Sequence, residues 1–210
     1  MDFNGSKNCT FYLLRVYCQL AIRNHDHMQQ IIRKITEWDI QKTKSLRLDP
    51  SSKIKWRLST IIAHSGDSWY CLLILLLIWI FAKNEWRMIA AAMGGGTFLL
   101  AIIIILIKFT IKRKRPDGEW GEIYRNTDPH SFPSGHATRV FFLASMAWGI
   151  APLWFAILLT IWAPLVSLSR IQTGLHYLSD VIAGVLLGWV CGKIALGFIP
   201  FFVHLLPWAF

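Results

Sequence analysis

The chain has 210 residues, of which 54% are hydrophobic and only 16% are charged. This balance excludes an ordinary soluble domain and indicates a helical membrane protein. The formal net charge is +10, which suits a nucleic acid, an anionic membrane surface or an anionic substrate. The long apolar runs favour the membrane over nucleic acid.

Residues 1–57 form a basic segment ahead of the first long apolar run. They contain 11 Lys/Arg against 5 Asp/Glu, so more than half of the net charge lies here. The stretch HMQQIIRKITEWDIQKT places apolar residues at mostly helical spacing, which predicts an amphipathic helix. Such a helix lies on the membrane surface or packs on the rest of the protein. We expect no cleavable signal peptide, and no disulfide or zinc role for the four cysteines, which show no CxxC spacing.

Five apolar runs follow, at about 65–82, 88–107, 134–150, 153–168 and from 176 past 190. About 20 apolar residues cross a bilayer, and the third and fourth runs are shorter than that. The sequence therefore predicts an all-α integral membrane protein, a bundle of about five to six transmembrane helices with an N-terminal amphipathic segment. We place an interfacial segment at 1–57 and the transmembrane domain at 58–210.

Counting the crossings brings three polar clusters to one face of the membrane. If the first run begins on face X, then KFTIKRKRP, PSGH and SRIQTGLHYLSD all meet on X, and the opposite face has only the short links KNEW and AP. Cations at membrane depth are costly and mark functional sites. Several together repel one another unless an anion lies among them, and phosphate fits Arg and Lys donors best. The cluster contains Lys108, Arg115, His136, Arg170, His176 and Asp180.

The stretch HSFPSGHATR, residues 130–139, indicates a loop that runs into the N-terminus of a helix. Ser134 is a good N-cap residue and Gly135 lets the backbone approach a ligand closely. The free N–H groups of the first helical turn then offer an anion site, with His136 facing the same ligand. Taken alone, the stretch also fits a plain capped helix with an incidental histidine.

His176 and Asp180 are four residues apart and therefore share one face of a helix. An aspartate that is hydrogen-bonded to one ring nitrogen raises the basicity of the other, which prepares a nucleophilic or basic imidazole. A purely structural pair is the alternative, and Arg170 six residues earlier argues against it. His130, His136, His176 and Asp180 could also bind a metal, but the crowded cations and the lack of a carboxylate cluster argue against a metal site.

Three short stretches thus follow one another over residues 108–180. They are Lys108-x6-Arg115-Pro116, Pro133-Ser134-Gly135-His136 and Ser169-Arg170-x5-His176-x3-Asp180. In this order and spacing they resemble the three-part signature of the type 2 phosphatidic acid phosphatase family. Each part alone is weak, whereas the three together are specific. Members of the family commonly have six spanning helices, against the five runs counted here.

The resemblance implies a metal-independent phosphatase that needs no cofactor. His176 would attack phosphorus and form a phosphohistidine, Asp180 would orient His176, and His136 would protonate the leaving oxygen. The phosphoryl oxygens would be held by Lys108, Arg115, Ser134, the Gly135 N–H and Arg170. A phosphate at headgroup level would belong to a lipid, and phosphatidate, phosphatidylglycerol phosphate and polyprenyl diphosphates all fit.

Two other functions stay open at this stage. One is a phosphatase for a soluble ester such as a sugar phosphate, and the other is a phosphate-binding membrane transporter. No nucleic-acid partner is expected, and the sequence does not specify an oligomeric state. The positive-inside rule puts the basic face X in the cytoplasm of the cell membrane, whereas the resemblance favours an extracytoplasmic site, as in many bacterial members of the family.

Two further expectations concern acidic residues near the site. His64 and Asp67 in HSGDSW fall on face X, and Asp67 is expected to cap the first spanning helix rather than to touch the site. The loop RPDGEWGEIYRNTDPHSF either balances the cations of the empty site or is simply solvated, and we expect the latter. Its acidic residues are Asp117, Glu119, Glu122 and Asp128.

Overall fold

The computed structural model describes residues 27–49, 51–83, 85–117 and 128–208. The chain divides into two compact units, and the boundary lies between Gln41 and Lys42. In the first unit residues 27–41 are helical, as the spacing of their apolar residues predicts. The position of this segment at the membrane surface stays a prediction. Of the acidic loop residues, Glu119 and Glu122 lie outside the described part of the chain.

Six long helices make up most of the second unit. They are α1 (Lys53–Ser65), α2 (Ser68–Phe81), α3 (Glu85–Ile111), α4 (Gly135–Ile150), α5 (Leu153–Gln172) and α6 (Leu178–Leu205). Helices α2 to α6 coincide with the five predicted apolar runs. The described residues hold no β-strand beyond one isolated bridge between Lys114 and His130, so an all-helical fold is confirmed.

The ends of these helices follow from local sequence. Lys112 has a φ of 52°, a left-handed conformation that commonly ends a helix, and it directs the chain away from α3. Ala151 and Pro152 separate α4 from α5, because the residue before a proline is disfavoured in the helical region. Pro152 is itself the N-cap residue of α5. The result is a short link between two antiparallel helices.

Three helices are long and apolar enough to cross a membrane: Glu85–Ile111, Leu153–Gln172 and Leu178–Leu205. Within the described residues a fourth span exists if α1 and α2, which are bent by 49° at their break, count as one. Helix α4 has only 16 residues and is mostly buried, so it lies inside the bundle. The protein is therefore an all-α membrane protein, while the count of five to six spans stays a prediction.

Helices α4 and α6 pack unusually close together along a row of glycines on α6. A Cβ atom placed on Gly184 would lie 2.8 Å from the backbone oxygen of Ser134, and one on Gly188 would lie 2.1 Å from that of Thr138. A Cβ on Gly192 would lie 2.6 Å from Cβ of Ser145. Only glycine permits this approach, since small residues let helix backbones meet in a membrane. The row fixes the start of α4 beside the start of α6.

Candidate functional site

The turn between α5 and α6 carries His176 and is built around Gly174. Gly174 has a φ of +73°, a conformation that favours glycine over residues with a Cβ. The guanidinium of Arg47 packs over it, with Cζ 2.8 Å from the position of an added Cβ. The neighbouring segment is also attached here, because Leu48 N–H donates to the Gln172 carbonyl at 3.0 Å and Leu178 N–H donates to Thr43 Oγ1 at 2.9 Å.

His176 is 1% exposed, and both of its ring nitrogens have neighbours. Nδ1 lies 2.8 Å from the backbone oxygen of Ser131, which can only accept a hydrogen bond, so Nδ1 carries the proton. Nε2 then has a lone pair and lies 3.2 Å from Nη1 of Arg115. Burial, together with the charges of Arg115 and Arg170, lowers the pKa of His176 to about 4. The ring is therefore a neutral imidazole at ordinary pH, with an unprotonated Nε2 that accepts from Arg115.

Asp180 lies fully buried beside this ring without a direct hydrogen bond to it. Its Oδ2 is 3.8 Å from Nδ1 of His176, so the Ser131 carbonyl, not the aspartate, takes the proton of Nδ1. Asp180 accepts from Nη1 of Arg113 at 2.6 Å and from the backbone N–H of Tyr177 at 2.9 Å. Its influence on His176 is thus that of a nearby negative charge, fixed by Arg113.

Arg113 and Ser131 are partners that sequence reasoning missed. In the sequence Arg113 is only one of the basic residues of KFTIKRKRP on face X. In the structure its guanidinium also donates to Ser179 Oγ at 2.6 Å and stacks 4.2 Å above the ring of Tyr177. No motif marks such a residue, because the contact joins two parts of the chain that are 67 positions apart.

Lys108 and Arg115 are buried and meet at the carboxylate of Asp128. Lys108 Nζ contacts Asp128 Oδ2, and Arg115 Nη2 donates to the same oxygen at 2.8 Å. Arg115 also donates through Nε to the Asp128 backbone oxygen at 2.8 Å and through Nη1 to the Leu175 oxygen at 2.9 Å. The expectation of a simply solvated loop is wrong for Asp128, because two buried cations attract its carboxylate; Asp117 is exposed.

The start of α4 lies next to this cationic group. Ser134 is the N-cap residue, and its N–H donates to the backbone oxygen of Asp180 at 3.0 Å. The hydroxyl of Ser134 is buried and has no hydrogen-bond partner among the described residues, which is costly unless a ligand supplies one. The first-turn N–H groups, that of Gly135 among them, have no acceptor within the helix. Arg170 is 1% exposed, and its charge acts on His176.

His136, in the first turn of α4, contacts the break between α1 and α2. Its Nε2 lies 2.5 Å from Oδ1 of Asp67, and Oδ2 of Asp67 lies 2.8 Å from Nδ1 of His64. Asp67 is the N-cap residue of α2, yet its side chain makes no capping hydrogen bond. The expectation that Asp67 caps the helix is therefore wrong, since two imidazoles take up its carboxylate.

All eight residues predicted for the site lie at one end of the helix bundle. Lys108 and Arg115 are joined through Asp128, Arg115 touches His176, and the backbone of Asp180 binds Ser134. Across the described ranges, no group of three His, Cys, Asp or Glu side chains is arranged to hold a metal ion. The arrangement offers a neutral imidazole nitrogen, buried cations and an unpartnered hydroxyl, which together suit an anionic phosphoryl group.

The chain is similar in sequence to a known family and to known phosphatases. Residues 88–203 match the model of the PAP2 superfamily. The chain is 35% identical over 134 residues to a decaprenylphosphoryl-5-phosphoribose phosphatase of Mycobacterium tuberculosis, covering 63% of this chain and 74% of that protein. It is 37% identical over 106 residues to an undecaprenyl-diphosphatase of Sulfolobus acidocaldarius, covering 46% and 51% of the two chains.

A solved structure has a similar fold. The transmembrane PAP2-type phosphatidylglycerolphosphate phosphatase from Bacillus subtilis superposes with a TM-score of 0.61 at 22% identity, covering 78% of this chain and 85% of that one. The helix bundle and its relatives define an integral membrane phosphatase that hydrolyses phosphoric esters. The chain belongs to the PAP2 superfamily, as the order of its three sequence stretches predicts.

Proposed function

We propose that the protein removes phosphate from a membrane lipid by a metal-independent reaction through a phosphohistidine on His176. The observation that carries the proposal is the lone pair on Nε2 of His176, beside the guanidinium of Arg115 at 3.2 Å. A nucleophile and a donor for phosphoryl oxygens are thereby placed side by side. Phosphoryl transfer depends mainly on such positioning and on stabilisation of charge.

The proposed reaction has two steps. Nε2 of His176 attacks phosphorus as the ester P–O bond breaks, and His136 gives its proton to the leaving oxygen. Water then attacks the phosphohistidine, His136 takes a proton from that water, and inorganic phosphate leaves. In both steps the phosphoryl oxygens are held by Lys108, Arg115, Arg170, the Ser134 hydroxyl and the Gly135 N–H. Asp180 holds a negative charge near the His176 ring, which gains positive character in the attack.

A metal ion has no role in this proposal. The group that would hold the substrate consists of the cationic side chains of Lys108, Arg115 and Arg170. A divalent cation would be repelled by these residues, whereas an anion is attracted. Asp128 is the carboxylate that lies among them, and both Lys108 and Arg115 already engage it.

An apolar cavity favours a lipid over a soluble ester as the substrate. A cavity of about 930 Å³ lies between α2, α3, α4 and α6 and has an almost entirely apolar lining. It includes Ile103, which precedes Lys108 on α3 by five residues, or about 7.5 Å along the helix. A hydrocarbon tail can thus lie in the cavity while its phosphate reaches the cations. The relatives named above are a decaprenylphosphoryl-5-phosphoribose phosphatase and an undecaprenyl-diphosphatase, and we propose a lipid phosphate as the substrate.

Phosphate release by the purified protein in EDTA tests the proposal. The substrates are phosphatidate, phosphatidylglycerol phosphate, undecaprenyl diphosphate and a sugar phosphate. We expect release from at least one lipid in EDTA, loss of release in His176→Ala, and acid-labile phosphate on the wild-type protein but not on His176→Ala. His204→Ala, at the far end of α6, is the matched control and should still carry the acid-labile phosphate. Release that requires added metal, or that continues in His176→Ala, would refute the mechanism.

The orientation in the membrane is a separate proposal. We propose that the site faces the cytoplasm of the cell membrane, because the basic segment 1–57 precedes the first apolar run on the same face. A single cysteine at Ser51, in a variant that lacks the four native cysteines, should resist an impermeant maleimide in intact cells and react after lysis. Labelling of intact cells would instead place the site outside the cytoplasm.

A further inference from the structure

The carboxylate of Asp67 is held between two histidine rings. Oδ1 lies 2.5 Å from Nε2 of His136, and Oδ2 lies 2.8 Å from Nδ1 of His64. The side chain of Asp67 is only 24% exposed, and it makes no capping hydrogen bond to α2. Both oxygens are thus used on imidazole nitrogens, one of which belongs to the proposed general acid.

The backbone that carries Asp67 is fixed against α4 and α5. Nη1 of Arg139, one turn after His136 on α4, donates to the backbone oxygen of Gly66 at 2.7 Å. A Cβ atom on Gly66 would lie 2.6 Å from Cγ1 of Val166 on α5, so the break between α1 and α2 is tightly packed. The position of the Asp67 carboxylate relative to His136 is therefore set by packing and by hydrogen bonds.

The surroundings of His136 create a need for a carboxylate. Two buried guanidinium groups act on its ring, that of Arg139 on α4 and that of Arg170 on α5. Both disfavour the imidazolium that a general acid must form before it can give up a proton. Asp67 opposes this repulsion through a direct contact with the ring, and His64 contacts the second carboxylate oxygen.

We propose that Asp67 is the positioning residue for His136, with His64 as its support, so that the site contains a His64–Asp67–His136 chain. This inference rests on the proposed function, in which His136 acts as general acid. Asp67 acts through His136 and does not touch the substrate.

The proton positions follow from the contact. A carboxylate accepts, so Nε2 of His136 carries the proton that faces Asp67, and Nδ1 is the nitrogen left for the leaving oxygen. In the first step Nδ1–H passes its proton to the leaving oxygen as the P–O bond breaks and the bond from His176 Nε2 to phosphorus forms. The neutral ring keeps its Nε2–H, which donates to Asp67, so Nδ1 is ready to take a proton from water in the second step. Asp67 stays ionised throughout.

Two substrates with different leaving groups separate this role from a structural one. A general acid matters for an alkoxide leaving group and little for nitrophenolate, which departs without a proton. We expect Asp67→Asn to lower the rate of phosphoenzyme formation, the step in which the leaving group departs, about 10- to 100-fold with a short-chain phosphatidate and less than about 3-fold with nitrophenyl phosphate. The double variant Asp67→Asn/His136→Ala should be no slower on phosphatidate than His136→Ala alone, because both changes remove one function.

The controls cover folding and the proposed function itself. Asp49→Asn, at an exposed aspartate, should leave both rates unchanged, and Asp67→Glu should recover part of the phosphatidate rate. Equal losses on both substrates in Asp67→Asn, or additive losses in the double variant, would overturn the role of Asp67. If His136→Ala itself shows no difference between the two substrates, the general-acid assignment fails, and the role of Asp67 fails with it. If His136→Ala shows the difference and Asp67→Asn does not, only the present inference fails.

Discussion

The backbone oxygen of Ser131 accepts the Nδ1 proton of His176 at 2.8 Å. Ser131 directly precedes the FPSGH stretch, so the loop that begins α4 also selects the tautomer of a ring that is 45 residues away. A carbonyl group has no charge and cannot be protonated at ordinary pH. The orientation of the ring is therefore independent of pH over the working range, in contrast to an orientation that depends on a carboxylate hydrogen bond.

The acid limit of activity should reflect the buried ring. His176 must be neutral to attack phosphorus, and burial lowers its pKa to about 4. Between about pH 4 and pH 6.5, where an ordinary histidine becomes protonated, His176 should stay active, and activity should be lost only as the pH falls through about 4. The measurement is the rate of formation of the phosphorylated enzyme against pH, corrected for the substrate phosphate, whose second pKa is about 6. A corrected rate that already falls as the pH drops through about 6.5 would contradict a buried, neutral ring.

Removal of the Asp128 carboxylate should tighten the binding of inorganic phosphate. A phosphate must displace this carboxylate from Lys108 and Arg115, so Asp128→Asn should lower the inhibition constant of phosphate by about 10-fold, equivalent to about 1.4 kcal/mol. Without phosphate the same variant should unfold at a lower temperature, since two buried cations lose their partner. Product inhibition and thermal unfolding with and without phosphate measure both effects. Asp117→Asn, at an exposed aspartate, is the control, and an unchanged inhibition constant in Asp128→Asn would disprove the competition.

A methyl group in the glycine row of α6 should separate the two helices. Gly188→Ala places a Cβ 2.1 Å from the backbone oxygen of Thr138, and a backbone atom cannot move aside cheaply. We expect a loss of about 2 kcal/mol or more in unfolding free energy, together with reduced activity, since the row sets the position of the start of α4. Gly197→Ala on the same helix has open space around its Cβ and should be neutral or slightly stabilising. Thermal unfolding in detergent compares the two variants, and similar melting temperatures would argue against close packing of α4 and α6 along the glycine row.

Filling the apolar cavity should affect long substrates only. Gly95 lines the cavity and has nothing within 4 Å of an added Cβ, so Gly95→Leu adds a side chain without a clash at its Cβ. We expect KM for a long-chain lipid phosphate to rise several-fold while the rate on nitrophenyl phosphate stays unchanged, because only the tail needs the cavity. Gly197→Leu provides a matched control outside the cavity. A uniform effect on both substrates would indicate that the tail lies elsewhere.

Much of this arrangement could be predicted from the sequence because it depends on short-range chemistry. The apolar runs gave five of the six long helices of the second unit, and counting of crossings brought Lys108, Arg115 and His176 to one end.

The contacts that the sequence did not predict are those between distant segments. Asp67 and His136 are in contact although they lie 69 positions apart in the sequence, and Asp128 and Lys108 are in contact across 20 positions. An aspartate before a helix has a good local use as a cap, so local reasoning assigned Asp67 to that use. The contact with two histidine rings decides otherwise, and it depends on the packing of the break between α1 and α2 against α4 and α5.

The contacts of Thr43 and Leu48 with the turn after α5 limit how the gene can be recombined. A chimera joined at residue 57, where the charge pattern suggests a boundary, would replace the acceptor of the Leu178 N–H and the guanidinium that packs over Gly174. A chimera joined at the boundary between Gln41 and Lys42 keeps all of these contacts within one parent. Exchange of N-terminal segments among relatives should therefore give active proteins with the earlier junction and impaired ones with the later junction, although residues 43 and 178 are 135 positions apart.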